Sequence, residues 1–451
     1  MSEEITTSPK QDGTLQKIRA SITLKFILLG LILLVIQIPI ALIHGLKSER
    51  ESRSNEVVNE IASKWGGRQN IIGPVLNIPI QRDVVKQVTD SDNVIRTKTI
   101  KETDYLQIAP ESLVITGTMT PEIRYRSIFE VLLYRSSFTI KGNIPAVEEF
   151  VREWGEWEFL YDQARLLLSI EDIKGITSVE FKVNGESRKV MPGGFGSLHK
   201  GVSVPYSELT AESKEIPFEI QLDLNGCENL FFYPVGQSTS LSISSTWPSP
   251  SFTGGFLPQK RNVSPTGFSA EWIVNDFNRD CPSSWLAGGV QFSRNEGIGL
   301  SLLKPVNHYS LVHRAISYEL LICLIVLLAF LIAERICKSW IHPLQYFIAA
   351  LSLVLFYLLL LSFSEHLSFG QAYVVSTLII VLLGGFYAKL IFGNWRLSGA
   401  MATAILSSYT LIYFILQLED YALLAGSLVL AVFMAIVMAF TGKLNQRKAS
   451  A

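Results

Sequence analysis

Few residues of this chain are ionisable and also set against an apolar neighbourhood that would sharpen their chemistry. Ser364-Glu365-His366 and Glu419-Asp420 each stand at the end of a long apolar run. Ionisable groups at membrane depth are costly to keep and mark function where they are kept. Glu365, His366, Glu419 and Asp420 are therefore one candidate polar cluster. In one reading His366 pairs with Glu419 or Asp420 and senses protons, since an imidazole changes charge near neutral pH. In the other, these residues cap short helix–helix turns at a wet interface. Glu319, near the end of another apolar run, is expected to reach water.

A second candidate is the stretch 247–258, Trp-Pro-Ser-Pro-Ser-Phe-Thr-Gly-Gly-Phe-Leu-Pro. Its prolines and glycines define a loop, and Trp247, Phe252 and Phe256 stud it. Either the rings plug one end of a β domain, or they form an exposed groove for a partner protein, lipid or glycan. Signatures of catalysis are largely absent. There is no Walker loop, no G-x-S-x-G elbow, no H-E-x-x-H and no cysteine pair at zinc spacing. No catalytic, cofactor-binding or metal-ligating residue is assigned, no cofactor is expected, and the chain is read as not an enzyme.

The elements that must position these residues are written in the hydropathy. Apolar stretches at 26–46, 311–333, 344–363, 371–392, 397–418 and 421–440 each have about the 20 residues a helix needs to cross a bilayer. None carries a charge at its centre, and hydrophobic residues make up 48% of the chain. Basic residues sit at alternate ends of these runs: Lys10, Lys17, Arg19 and Lys25, then Arg335 and Lys338, then Lys389 and Arg396, then Lys443, Arg447 and Lys448. The positive-inside rule then places both termini (1–25 and 441–451) in the cytoplasm and 47–310 in the periplasm. Lys47, Arg50 and Arg53 run against the pattern but belong to a long translocated segment. The first run lacks a small-residue cleavage site and reads as an uncleaved anchor. With 39 basic and 40 acidic side chains, no nucleic-acid partner is indicated.

The 47–310 segment reads as β-rich. Residues 47–64 continue the first span as a charged helical stalk ending at Gly66-Gly67. Residues 71–80 are apolar but carry Pro74 and Pro79, which suits an edge strand. Residues 146–161, with Trp154 and Trp157, read as the domain's one helix. Asn184-Gly185 is a two-residue hairpin signal, and 218–224, 229–233 and 239–246 alternate in the period of a half-buried strand. The expected fold is α+β: six transmembrane helices with a large sandwich-like β domain inserted between the first and second. Cys227 and Cys281 could bridge in an oxidising compartment or remain free thiols.

Several stretches together resemble the CreD family of inner-membrane proteins. They are the 247–252 run with Gly255-Phe256-Leu257-Pro258, His342-Pro343-Leu344-Gln345-Tyr346, the 356–362 run with Ser364-Glu365-His366, and the 418–424 run with Gly426-Ser427. The resemblance implies a bacterial inner-membrane protein of cell-envelope integrity, linked to a two-component regulon and to envelope or β-lactam stress. It carries over no catalytic residue, and the two loop cysteines are not part of its pattern. The expected partners are the lipid bilayer and an envelope protein, lipid or glycan; a transport or channel component and an envelope-modifying enzyme are the rival readings.

Overall fold

A computed structural model describes residues 22–89, 95–194, 198–279, 281–293, 296–303, 308–337, 340–418, 421, 424–432, 434, 435 and 438. The chain divides into two compact units. One holds residues up to Arg53 and from Val306 onward, and the other runs Ser54–Pro305.

The first unit is helical. Helix α1, Ile22–Trp65, is continuous through the apolar run and the charged stalk, and its last turns belong to the second unit. It stops at Gly66, whose φ of +139° suits glycine alone. Within the first unit α1 buries Leu29, Ile32, Ile36, Ile40 and Ile43, while Leu31, Leu34, Ile38 and Leu42 stay largely exposed. Both faces are apolar, as a helix facing protein on one side and lipid on the other requires.

The short helix α2, Glu148–Glu153, lies in the second unit. In the first unit follow α3 (His308–Ser317), α4 (Glu319–Cys337), α5 (Pro343–Ser364), α6 (Phe369–Phe392) and α7 (Trp395–Gln417). Among the described residues, five helices are long and apolar enough to cross a membrane: α1 and α4–α7. The run expected as one span at 311–333 is therefore two helices broken at Tyr318, whose N–H turns back to the Ala315 carbonyl. Of the expected sixth span at 421–440, residues 424–432, 434, 435 and 438 are helical, and the rest apart from Tyr421 lies outside the described residues.

The local chemistry of the helix ends is legible. The His342 ring nitrogen accepts from Leu344 N–H, the Gln345 side chain accepts from His342 N–H, and Pro343 occupies the first turn. Between α6 and α7, Gly393 adopts the left-handed conformation and Asn394 caps the next helix. Gly384 leaves room for Ile405: a Cβ there would sit 2.4 Å from its Cδ1.

The second unit is two stacked sheets. Among the described residues the first has ten strands. Its backbone order is Pro250–Ser251, Ile298–Leu302, Asn229–Tyr233, Gln69–Thr89, Arg165–Ile170, Gly201–Pro205, Met191–Pro192. The second has eight: Lys260–Ser264, Gly267–Asn275, Ser238–Ser245, Ser112–Arg126, Phe129–Ile144, Ile216–Cys227, Ile176–Val183, Glu186–Arg188. Pairing is mostly antiparallel, with parallel pairs at Gln69↔Leu230 and Ser238↔Ser112.

Alternation does the layering. Phe218, Ile220, Leu222 and Leu224 point inward from one strand, and Phe268, Ala270, Trp272 and Val274 from another. They meet the other sheet in one core, as in the edge-to-face contact of Phe138 with Phe232 at 5.0 Å between centroids. Asn184-Gly185 forms the expected hairpin, with φ of 53° and 81°.

Two local expectations fail. Gln69–Thr89 is a central strand, because its prolines fall at breaks in the ladder with Arg165–Ile170. Pro74 lies in the register shift between Ile72 and Val75, and Pro79 lies past Asn77, where that pairing ends. The 146–161 stretch is helical only over Glu148–Glu153; Glu158 and Phe159 instead pair with Gln81 and Ile80. Cys227 and Cys281 are both buried, and no disulfide joins them.

Candidate functional site

Of the expected polar cluster, Glu365 ends α5 half-buried, and His366 just beyond it is exposed. Glu419 and Asp420 lie outside the described residues, so the pairing expected of His366 does too. What the structure gathers around Glu365 comes from elsewhere. Arg50 of α1 lies 3.7 Å from Glu365 Oε1, an ion-pair distance too long for a hydrogen bond. That oxygen is buried and has no hydrogen-bond partner among the described residues. Tyr309 of α3 also lies here. Burial first, then the negative charge of Glu365, pushes its hydroxyl up to about 12. One turn along α3, the His313 ring meets His44 of α1 edge-on at 5.5 Å between centroids. These partners are far apart in sequence and no spacing could have linked them.

Deeper in the helical unit are two acids whose importance sequence reasoning missed. Glu334, near the end of α4, is 3% exposed and fully partnered. Its Oε1 takes an ion pair from Lys25 and the N–H of Ile341 at 3.2 Å, and its Oε2 takes the Tyr346 hydroxyl at 2.7 Å. Glu319, which opens α4, was expected to reach water, but it is 2% exposed. Side chains from α1 and its own helix cover it: Gln37 Nε2 donates to Oε2 at 3.3 Å, and Cys323 Sγ donates to Oε1 at 3.3 Å. The signal available in the sequence was Gln37, a polar residue inside an apolar run.

In the β unit, residues 247–258 cross from one sheet to the other. Trp247 follows Ser238–Ser245 of the eight-stranded sheet, and Pro250–Ser251 joins the ten-stranded one. Trp247 is 9% exposed, and its Nε1–H donates to the carbonyls of Leu303 at 3.0 Å and Ser249 at 3.2 Å. The Phe252 ring packs on Phe268 and Trp272, both at 5.7 Å. Phe256 is partly buried against the core, and its carbonyl accepts from Trp272 Nε1 at 3.1 Å. The rings hold the loop down; its exposed crest is Thr253, Gly254, Gly255 and Leu257.

The outer face of the eight-stranded sheet carries a polar groove of about 280 Å³ lined by Thr118, Thr120, Arg135, Ser137, Thr177, Asp223 and Asn225, among others. Cross-strand register builds it. Thr118, Ser137, Asp223 and Ser178 form one row across four strands, and Thr120, Arg135 and Asn225 form the next. A bulge opposite Asp223 and Leu224 makes Thr177 the extra residue, and bulges often re-aim side chains at functional edges. Beside it, Arg135 lies over the Trp65 ring at 5.0 Å and bonds to Glu122 at 3.1 Å. Hydroxyl, amide, carboxylate and guanidinium groups in rows can exchange hydrogen bonds with a polyhydroxylated ligand. Among the described residues no group of three or more His, Cys, Asp or Glu side chains could hold a metal ion.

A family model described as inner membrane protein CreD matches residues 21–446 of this chain. The chain is 30% identical over 430 residues to the inner membrane protein CreD of Escherichia coli strain K12, an alignment covering 93% of this chain and 92% of that protein.

Proposed function

Because the chain belongs to the CreD family of inner membrane proteins, we propose that it maintains cell-envelope integrity without catalysis. In this reading six helices anchor the β unit at the outer face of the inner membrane, with both termini in the cytoplasm, and that unit binds an envelope component. One observation carries the reading: residues Ser54–Pro305 form a self-contained two-sheet unit that falls in the chain between α1 and α4–α7, the helices long and apolar enough to cross a membrane. The basic residues flanking the helices support the orientation. So does the pair Lys25–Glu334, which sets the start of α1 beside the end of α4, as a hairpin of opposed spans requires.

Two surfaces are available for the envelope component. The polar groove around Asp223 and Asn225 suits a glycan, and the crest held up by Trp247, Phe252 and Phe256 suits a protein or lipid. The groove is the better site, because its polar side chains face outward while the loop's rings are spent on the core. The test is photo-crosslinking from position 223 in intact cells, with stress survival of Asp223→Ala/Asn225→Ala alongside. Captured glycan, and lost protection at unchanged membrane abundance, are the expected results. Full protection by the double variant with no glycan captured refutes the groove.

A further inference from the structure

We infer that Glu319 is a proton-binding site inside the helical unit. Helix α4 contains its own control. Glu319 and Glu334 lie on the same helix and are buried alike, at 2% and 3% exposure. Glu334 is compensated as an anion by Lys25, a tyrosine hydroxyl and a backbone N–H. Glu319 has an amide and a thiol, both neutral and both at 3.3 Å. Among the described residues no lysine, arginine or histidine pairs with it. A carboxylate buried without a cation is strongly disfavoured, and taking up a proton removes the charge.

The surroundings have spare polar capacity. The Tyr357 hydroxyl of α5 is buried with no hydrogen-bond partner among the described residues, and it lies within electrostatic range of Glu319 and Cys323. Tyr409 of α7 lies within the same range, with its hydroxyl committed to the Leu353 carbonyl at 3.0 Å. Tyr373 of α6 donates to the Tyr409 carbonyl at 2.8 Å. Among the described residues Glu319 thus bonds to Cys323 and to the amide of Gln37 of α1, with Tyr357 and Tyr409 within electrostatic range and Tyr373 bonded to the backbone of the latter. None of these supplies a positive charge.

The same level of α1 is mechanically weak. Pro39 has no N–H to give the Val35 carbonyl, so the helix lacks a rung beside Gln37. A change of charge at Glu319 acts through Gln37 on the turn of α1 least able to resist it. Proton uptake and release at this carboxyl would set the packing of α1 against α4.

Dicyclohexylcarbodiimide, which reacts with protonated carboxyl groups in apolar surroundings, tests this on the full-length protein in detergent micelles. Peptide mass spectrometry should find the adduct on Glu319 and not on Glu334, with labelling falling as pH rises and absent in Glu319→Gln. Gln37→Leu, which removes the amide that donates to Oε2, should move the labelling midpoint to higher pH. Lack of an adduct at Glu319 at every pH where the protein stays folded overturns the proposal. So does suppression of labelling by sodium at constant pH, which would mark a metal-cation site instead.

Discussion

Trp247→Ala distinguishes a ring that holds the β unit together from one that meets a partner. The indole is 9% exposed and sits in the core shared by both sheets. Truncating a buried tryptophan to alanine costs about 3–5 kcal/mol. The shared hydrogen bond from Nε1 to the Leu303 and Ser249 carbonyls adds about 1 kcal/mol. Against a domain stability of roughly 5–15 kcal/mol, that loss leaves a marginal fold. Trp247→Phe keeps most of the apolar volume, loses the donor, and should cost roughly 1–2 kcal/mol. The assay is urea titration of the full-length protein in detergent micelles, read by protease cleavage within residues 54–305. A midpoint ordered wild type, Phe variant, Ala variant is expected, with reduced membrane abundance of the Ala variant. An Ala variant within 1 kcal/mol of wild type would refute the reasoning, and with lost stress protection it would make the ring a recognition element.

Removing one partner of the buried Lys25–Glu334 pair, in Lys25→Met or Glu334→Gln, should cost roughly 3–5 kcal/mol, with the Lys25→Met/Glu334→Gln double variant losing less than the sum; denaturant titration of the four proteins in detergent gives the coupling. The Glu122 carboxyl is held below the ordinary glutamate value chiefly by its hydrogen bond from Arg124, with Arg135 adding to it. Its folded pKa is depressed, so its contribution is complete above the unfolded value of about 4.3 and is lost as pH falls through the folded one. Glu122→Gln should therefore show a shallower fall in urea midpoint on the acid side of that value, and an unchanged acid slope would contradict the assignment.

The hairpin at Asn184-Gly185, the helix cap at His342-Pro343 and the alternating strands were legible because each is decided within a few neighbouring residues. The prolines of the Gln69–Thr89 strand were not. They signal an edge only if the ladder on their own side runs unbroken past them, and here the pairing with Arg165–Ile170 shifts at Pro74 and ends before Pro79, while the pairing with Ile95–Ile108 on the other side continues through Pro79. Trp154 and Trp157 promised a longer helix, but pairing of Glu158 and Phe159 with a distant strand ended it early. The 247–258 loop was recognised as special, and its geometry resolves which way the rings turn, because Phe268 and Trp272 supply the packing surface from the neighbouring strand.

The sequence alone determined that apolar helices of bilayer length bracket a β-patterned segment, since length and period are properties of contiguous residues. It also pointed to the family through runs that survive as contiguous motifs. Only the tertiary structure decided which acids are buried and with what. A helix between protein and lipid is apolar on both faces, so its periodicity does not reveal the inward side. Whether a carboxyl there meets a lysine, as Glu334 does, or only neutral groups, as Glu319 does, depends on a helix hundreds of residues away in the chain.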